Sequence, residues 1–554
     1  MSQALAAALG YSLITALLFR NLLPVLTTDL YSDIGDPLLN CAVLAWNATH
    51  IPLTNGWWNF PSFAPLSGVT AFTEHLLGAY PIASPVIWIT GNPVLAYNVV
   101  LLLCFPLNGI ATFALVRELT GSAIAAFVAG LAFAFAPFHA EHLSHVQTLM
   151  AFGMPLALFG LHRYLTSGKR ADLAWFAFGW LSAILSNAYM LVFFPILVAL
   201  WMLWFFRTTE WRRFVSVGAV AILATAAVLP LLRGYYVRQT AYGFVRSYNE
   251  IKANSADIAA LAGISHRALL WKDWLPGTYY ETSLFPGFAI VALALIGVVA
   301  HVRRKRSASP SRSGAVIFYL VGAIVMWLFA LGPEPLWSGV RSTLKYGPYW
   351  LLLRLPAAQS IRVPARAWLP ATLCLAVVAG FGALCLASDE RTKRVLGVLA
   401  LIIIAEGWFY DGTMRAPERM LNGVIPDGAV VLDLPIGVES ANTGAQYLAV
   451  LGGYRVVNGY SGYSPAHVTG LRDALANHRS AAFDGFRLLA DLYVIVRPEV
   501  DKPFVDWLET QDGIERLPDT SSGKLYRLPR SSTDPRPPMP LPLPRVGRVA
   551  FAIQ

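Results

Sequence analysis

Eleven apolar runs punctuate the first 411 positions: residues 4–26, 94–115, 122–138, 149–165, 171–186, 189–206, 214–232, 283–300, 315–331, 368–386 and 395–410. A hydrocarbon core about 30 Å thick takes roughly 20 residues of helix, so each run is read as a crossing. Almost nothing joins the two runs flanking Ser186-Asn187-Ala188, which makes that hairpin the least certain division. The first run is too long and too weakly charged at its start for a cleaved signal peptide, and no small-residue cleavage site follows it. After position 411 the pattern changes. GAVVLDLPI (428–436) and YVIV (493–496) read as buried strands, whereas 464–478, 480–492 and 503–511 read as helices. Alternation of strand and helix predicts a small α/β unit.

Composition and charge sharpen this picture. Of 554 residues 56% are hydrophobic and only 13% charged, against about 45–50% and 25% in soluble chains. The chain is read as an integral membrane protein. With the N-terminus cytoplasmic, the inner loops hold fifteen basic residues against five acidic ones, a surplus equal to the formal +10 of the whole chain. The basic balance therefore records topology and gives no reason to expect nucleic acid. Cys104, Cys374 and Cys385 fall inside apolar runs and only Cys41 in an outer loop, so no disulfide framework is expected. Asn47-Ala48-Thr49 matches a glycosylation sequon, a common chance match.

This topology defines three long outer loops, 29–92, 233–282 and 332–367, within a transmembrane domain spanning 1–411. An extracytoplasmic α/β domain over 412–529 and a Pro-rich tail over 530–554 complete the expected organisation. No internal repeat stands out.

Ionisable residues at a membrane boundary are costly and are functional candidates by default. Here they gather on the outer side. Asp33 and Asp36 stand in LYSDIGDPLLN, at the edge of the first apolar run. An Asp there can cap the following helix, with Pro37 in its first turn, or face a cavity. Glu74 and His75 sit where the first outer loop re-enters the membrane, as anchors or as a cavity wall. In PFHAEHLSHVQTL, His139, Glu141, His142, His145 and Gln147 crowd together; His142 and His145 are three apart and share a helical face. With Glu141 they form a candidate site for a divalent metal, a pyrophosphate or a sugar; alternatively they cap helix ends and meet water. Arg362 and Arg366, four apart beside prolines, suit an anionic group through forked donors. Asp257 and Glu281 bound the second long loop. Gly459–Tyr463 lacks the lysine and the strand-turn-helix setting of a nucleotide loop.

An acidic turn opening a long first outer loop, a polar cluster at the third-to-fourth junction and a C-terminal outer domain together resemble the GT-C superfamily of membrane glycosyltransferases. Within it the chain is similar to the bacterial protein-mannosyltransferase-like and arabinose-transferase-like branch. The phrases GDPLLN, HLSHVQTL, IRVPAR and VVNGYSGYSP carry the likeness. The resemblance implies an α-helical polytopic fold of about eleven crossings. It implies transfer of a hexosyl or pentosyl group from a polyprenyl-phosphate donor to a glycan, lipid or protein acceptor at the outer face of a bacterial inner membrane. By the same resemblance the acid of the first loop, Asp36 taken ahead of Asp33, acts as general base or as metal ligand, and Arg362 and Arg366 meet the donor phosphate; Glu74, His75 and Gln147 are read from their positions as lining the same site. Some members need a divalent metal and others none, so dependence on an ion at His142, His145 and Glu141 stays open. A non-catalytic flippase or scaffold for lipid-linked glycans is the rival; a transporter calls for mid-membrane polar residues and paired halves.

Overall fold

The computed structural model describes residues 2–278, 281–303, 310–355, 360–410, 412–418 and 425–531. The Pro-rich tail beyond position 531 and the basic residues 304–306, expected in an inner loop, lie outside the described residues. Every one of the eleven apolar runs carries a helix. Local signals set their starts: Asn92 accepts from the Leu95 N–H ahead of Pro93, and Ser122 from that of Ala125. Pro93–Thr120, Ala123–His142 and Pro364–Leu386 are long and apolar enough to cross a membrane by length and composition. Met190–Phe205 and Thr208–Ala227, bent by 114°, make a fourth if counted as one broken span. Gln3–Leu18, Phe288–Arg303 and Gly314–Ala330 are shorter apolar helices, so helix length supports three or four of the eleven expected crossings.

Trp368–Leu386 is the hub. It is buried almost all round, as a helix apolar on every face must be, and it packs against Phe288–Arg303, Pro310–Ala330 and Ala123–Ala134. Small residues permit the tightest approaches, the usual device where lipid removes the hydrophobic drive between helices. Gly179 on Arg170–Ser186 meets Gly153–Ser167 so closely that a Cβ there would stand 2.4 Å from the Ala157 nitrogen and 2.6 Å from the Gly153 oxygen.

The C-terminal residues form a five-stranded sheet. From one edge its strands are Glu515–Thr520, Gly523–Leu528, Leu492–Val496, Val430–Leu434 and Arg455–Val456; the last three are parallel, the first two antiparallel. Both strands read from the sequence are present and buried throughout. The polar edge strands and helix Glu439–Gly452 were not anticipated.

This unit is joined to the bundle through the first long loop. Asp29–Tyr31 pairs antiparallel with Thr413–Arg415. Phe63 and Ala64 donate their N–H groups to the Asn458 and Val456 carbonyls, each at 3.0 Å, extending the sheet edge. Helix Glu439–Gly452 lies on helix Asp36–Thr49, with Thr443 Oγ1 donating to the Ile34 carbonyl at 3.1 Å. The sequon residue Asn47 is buried: its amide donates to the His75 carbonyl at 2.8 Å and accepts from Trp57 Nε1 at 2.7 Å.

Gly179→Ala should lower stability by about 1–3 kcal/mol, because the backbones on either side cannot yield. Gly218→Ala, whose Cβ would meet only Met202 at 3.9 Å, should leave the thermal midpoint in detergent unchanged or slightly raised. Equal midpoints for the two variants would refute close backbone packing at Gly179.

Candidate active site

The acidic turn divides its two carboxylates between two tasks. Asp33 Oδ1 accepts the Gly35 N–H at 2.9 Å and so shapes the turn. Its Oδ2 accepts from Ser32 at 3.1 Å, from the Ser144 hydroxyl, and from Arg267 at 3.5 Å. Asp36 is the first residue of helix Asp36–Thr49 and caps nothing. Its Oδ2 instead lies 2.9 Å from His145 Nε2. The positive end of the helix dipole favours an anion at this place.

Behind that contact lies a buried ion cluster. Glu281 receives the Arg366 guanidinium as a fork, Nε to Oε2 at 2.5 Å and Nη2 to Oε1 at 2.8 Å. Arg366 is 4% exposed; its Nη1 reaches Glu74 at 3.5 Å and its Cζ lies 4.5 Å from the centre of the Tyr189 ring. His142 Nδ1 and His145 Nε2 each stand 3.5 Å from a Glu281 oxygen. Burial opposes ionisation of Asp36, but the His145 hydrogen bond and the charges of His145 and Arg366 outweigh it and hold the carboxyl below its ordinary value. Glu281 is likewise held well down: Arg366 and His145 overcome its desolvation. Burial disfavours a charged His145, yet Glu281 and the Asp36 hydrogen bond lift its proton affinity above the usual value. Glu74 shifts the other way, since burial raises it and Arg366 offsets only part.

The structure thus brings Asp36, His142, His145, Glu74 and Arg366 together and sets Asp33 beside them. Other candidates stand apart. His75 turns its Nδ1 to the Leu77 N–H at 3.0 Å, and burial lowers it to about 4. Gln147 lies in the short helix Val146–Leu149, its Oε1 buried without a hydrogen-bond partner. Arg362 is half-buried and makes no hydrogen bond or ion pair among the described residues; its field reaches Tyr189 and Tyr463. Glu141 does not join the two histidines. Residues Pro137–His142 wind as a 3-10 helix, which sends the Glu141 side chain off to accept from Ser283 at 3.3 Å, and Glu281 takes the third place. Glu281, Ser144, Arg267 and Tyr189 are site neighbours that sequence reasoning did not commit to. Only Glu281 carried a signal, as a rare carboxylate at the end of an outer loop.

His142, His145 and Glu281 offer ligand atoms all within 4.8 Å of one another. Both ring nitrogens of His142 and Nδ1 of His145 are buried without hydrogen-bond partners. Two imidazoles and a carboxylate suit a divalent ion such as Zn²⁺ or Mn²⁺, so the residues fit a metal, with Arg366 as competitor for Glu281.

Solved structures share this architecture. The arabinofuranosyltransferase AftD from Mycobacteria aligns at a TM-score of 0.61 and 14% identity, covering 96% of this chain and 40% of AftD. A mutant of the same enzyme aligns at 0.59 and 15%, covering 95% and 41%. The apo oligosaccharyltransferase of Archaeoglobus fulgidus aligns at 0.48 and 12%, covering 89% and 69%, too distant to argue from. The chain shares the fold of the AftD structures. The chain belongs to the family described as "Domain of unknown function (DUF6311)", which matches residues 89–405. No curated protein matches it. The chain spans about two-fifths of the length of AftD.

Breaking the fork should unfold the site. Arg366→Ala leaves Glu281 buried beside Asp36 without its counter-ion and should cost about 3–5 kcal/mol. Glu281→Gln combined with Arg366→Met should recover most of it. A melting curve for Arg366→Ala that overlays the wild type would show that the pair is not needed.

Proposed function

We propose that the chain is a membrane glycosyltransferase. It moves a hexosyl or pentosyl unit from a polyprenyl-phosphate donor to an acceptor hydroxyl at the extracytoplasmic face of a bacterial inner membrane, in cell-envelope glycan, lipid or protein glycosylation. In this reading the N-terminus is cytoplasmic and residues 412–529 form the extracytoplasmic domain. The observation that carries it is an Asp36 carboxylate 2.9 Å from His145 Nε2, at the loop-bearing end of an apolar bundle and in front of the buried Arg366–Glu281 fork.

Asp36 accepts the acceptor hydroxyl's proton as its oxygen bonds to the anomeric carbon and the bond from that carbon to the phosphate oxygen breaks. Single displacement inverts the anomeric centre. His145 fixes the rotamer of Asp36, while Asp33 keeps the turn in shape through Gly35 and Ser144. The departing polyprenyl phosphate needs positive charge. Arg362 supplies it in this reading; Arg366, also expected there, spends its donors on Glu281 and Glu74 and serves instead to place Glu281. His142, His145 and Glu281 would hold a divalent ion, which would supply Lewis acidity at that place. The phosphate-linked donor is already activated, so no nucleotide is required outside the cell.

The test uses the full chain in proteoliposomes with radiolabelled polyprenyl-phosphate arabinofuranose and polyprenyl-phosphate mannose. Label should leave the lipid, and Asp36→Ala should slow that release by about 10²–10⁴-fold. Arg362→Ala should raise KM for the donor more than it lowers kcat. Full transfer by a folded Asp36→Ala variant would sink the catalytic assignment. Movement of intact lipid-linked sugar across the bilayer without transfer would favour a flippase.

A further inference from the structure

Strands Val430–Leu434 and Leu492–Val496 run parallel and finish at the same edge of the C-terminal sheet. From Leu434 the chain goes on to strand Arg455–Val456 on one flank; from Val496 it goes on to the antiparallel pair on the other. Such a divergence leaves a crevice outside the carboxyl ends of the two strands, the place where α/β sheets take ligands. Here the crevice is an open cavity of about 470 Å³, inside the roughly 300–1,000 Å³ usual for ligand sites. Three segments wall it: the turn after Leu434, the end of helix Ala466–Ala476, and residues 499–504, which lead into helix Lys502–Glu509.

The lining sorts by polarity. Leu434, Leu475 and Phe504 are buried and make an apolar floor, whereas Arg472, Asp473, Glu499 and Asp501 are exposed and make the rim. Arg472 is laid over the turn: a Cβ on Gly437, whose φ is +93°, would stand 2.5 Å from its Nε. Three carboxylates disfavour an anionic ligand such as the phosphate of a lipid carrier, and the guanidinium among them stands against a cationic one. A hydroxyl both donates and accepts, so it can meet either kind of rim group. Acceptors and donors around an apolar floor therefore match a neutral sugar, with its hydroxyls at the rim and its C–H groups on the floor.

This cavity is close to the acidic turn. Ile436 lines it, and Glu439, three residues on, lies over Gly35, where a Cβ would stand 2.3 Å from Glu439 Oε1. Three residues of chain span at most about 11 Å. A saccharide with one hydroxyl at Asp36 can thus reach the cavity with units further along its chain, which a single sugar cannot. We infer that the cavity is an acceptor subsite, and that the acceptor is a neutral glycan several units long. The assignment rests on the glycosyltransferase reading above and deepens it.

Binding is tested first, with the full chain in nanodiscs and two probes, mannohexaose and an arabinofuranosyl hexasaccharide. Saturation-transfer NMR should show at least one of them bound. Ala476→Trp, which fills the cavity, and Arg472→Ala, at an exposed position, should each weaken that binding about tenfold with the thermal midpoint unchanged. Glu515→Gln, on the far edge strand, should not. In the proteoliposome assay both cavity variants should raise KM for the hexasaccharide acceptor about tenfold more than KM for the methyl glycoside of the same sugar. No binding of either hexasaccharide by the wild type, wild-type affinity in both cavity variants, or capture of a lysine-rich peptide in their place would overturn the subsite. Equal rises in KM for long and short acceptors would do the same. Retained transfer in Asp36→Ala would instead overturn the function on which the subsite rests, whatever the binding data show.

Discussion

One guanidinium organises the loop-bearing end of this protein. Arg366 is buried at the start of the central helix, where an unpaired charge would be untenable, and its fork on Glu281 draws the end of the second long loop onto the bundle. Glu74 brings in the first long loop, and His142 and His145 come to Glu281 from the third-to-fourth junction. Charges buried together are tolerable only where each faces a partner of opposite sign. The condition fixes the relative positions of segments far apart in sequence. Asp36 inherits its place from this arrangement, through His145.

The second long loop is anchored again just beyond Glu281. Glu406 accepts the N–H groups of Phe288 and Ala289 at 2.8 and 3.1 Å and that of Trp271 Nε1 at 3.0 Å, capping the helix that follows. The free N-terminal N–H groups of a helix need such partners when buried. Glu281 is thus approached from a rigid helix start on one side and held by Arg366 on the other. The C-terminal residues are equally committed to this end: Thr413–Arg415 pairs with Asp29–Tyr31, the edge of the five-stranded sheet bonds to residues 61–64, and helix Glu439–Gly452 lays Glu439 over Gly35. Bundle and sheet meet at the acidic turn, which explains why a chain so poor in carboxylates concentrates them there.

Much of this was legible in the sequence, for physical reasons that also mark where reading stops. Apolar runs announce helices because burial or lipid demands them, and all eleven carry one. How many cross a membrane is less legible, since bends such as that between Met190–Phe205 and Thr208–Ala227 leave no sharp mark in hydropathy. Val430–Leu434 and Leu492–Val496 were readable as β-branched runs, whereas Glu515–Thr520 is largely exposed and polar and lacks any such signal. Asp36, His142, His145 and Arg366 were visible as costly groups at a membrane edge. Their partner Glu281 was visible only as a loop boundary, because pairing across loops is set by tertiary packing and not by local pattern. The choice of Glu281 over Glu141 turned on a 3-10 winding that spacing alone does not reveal.

The central claim is that Asp36, placed by the Arg366–Glu281 fork through His145, faces the anomeric carbon of a lipid-linked sugar. It is tested most directly by an electron cryomicroscopy structure of the full chain in nanodiscs with a non-cleavable polyprenyl-phosphonate sugar. The account predicts the phosphonate at Arg362 and the sugar against Asp36, leaving between them room for an acceptor oxygen about 3–3.5 Å from the anomeric carbon. The fork should remain intact. A headgroup bound away from the acidic turn, or a sugar reached only through an opened Arg366–Glu281 pair, would contradict it.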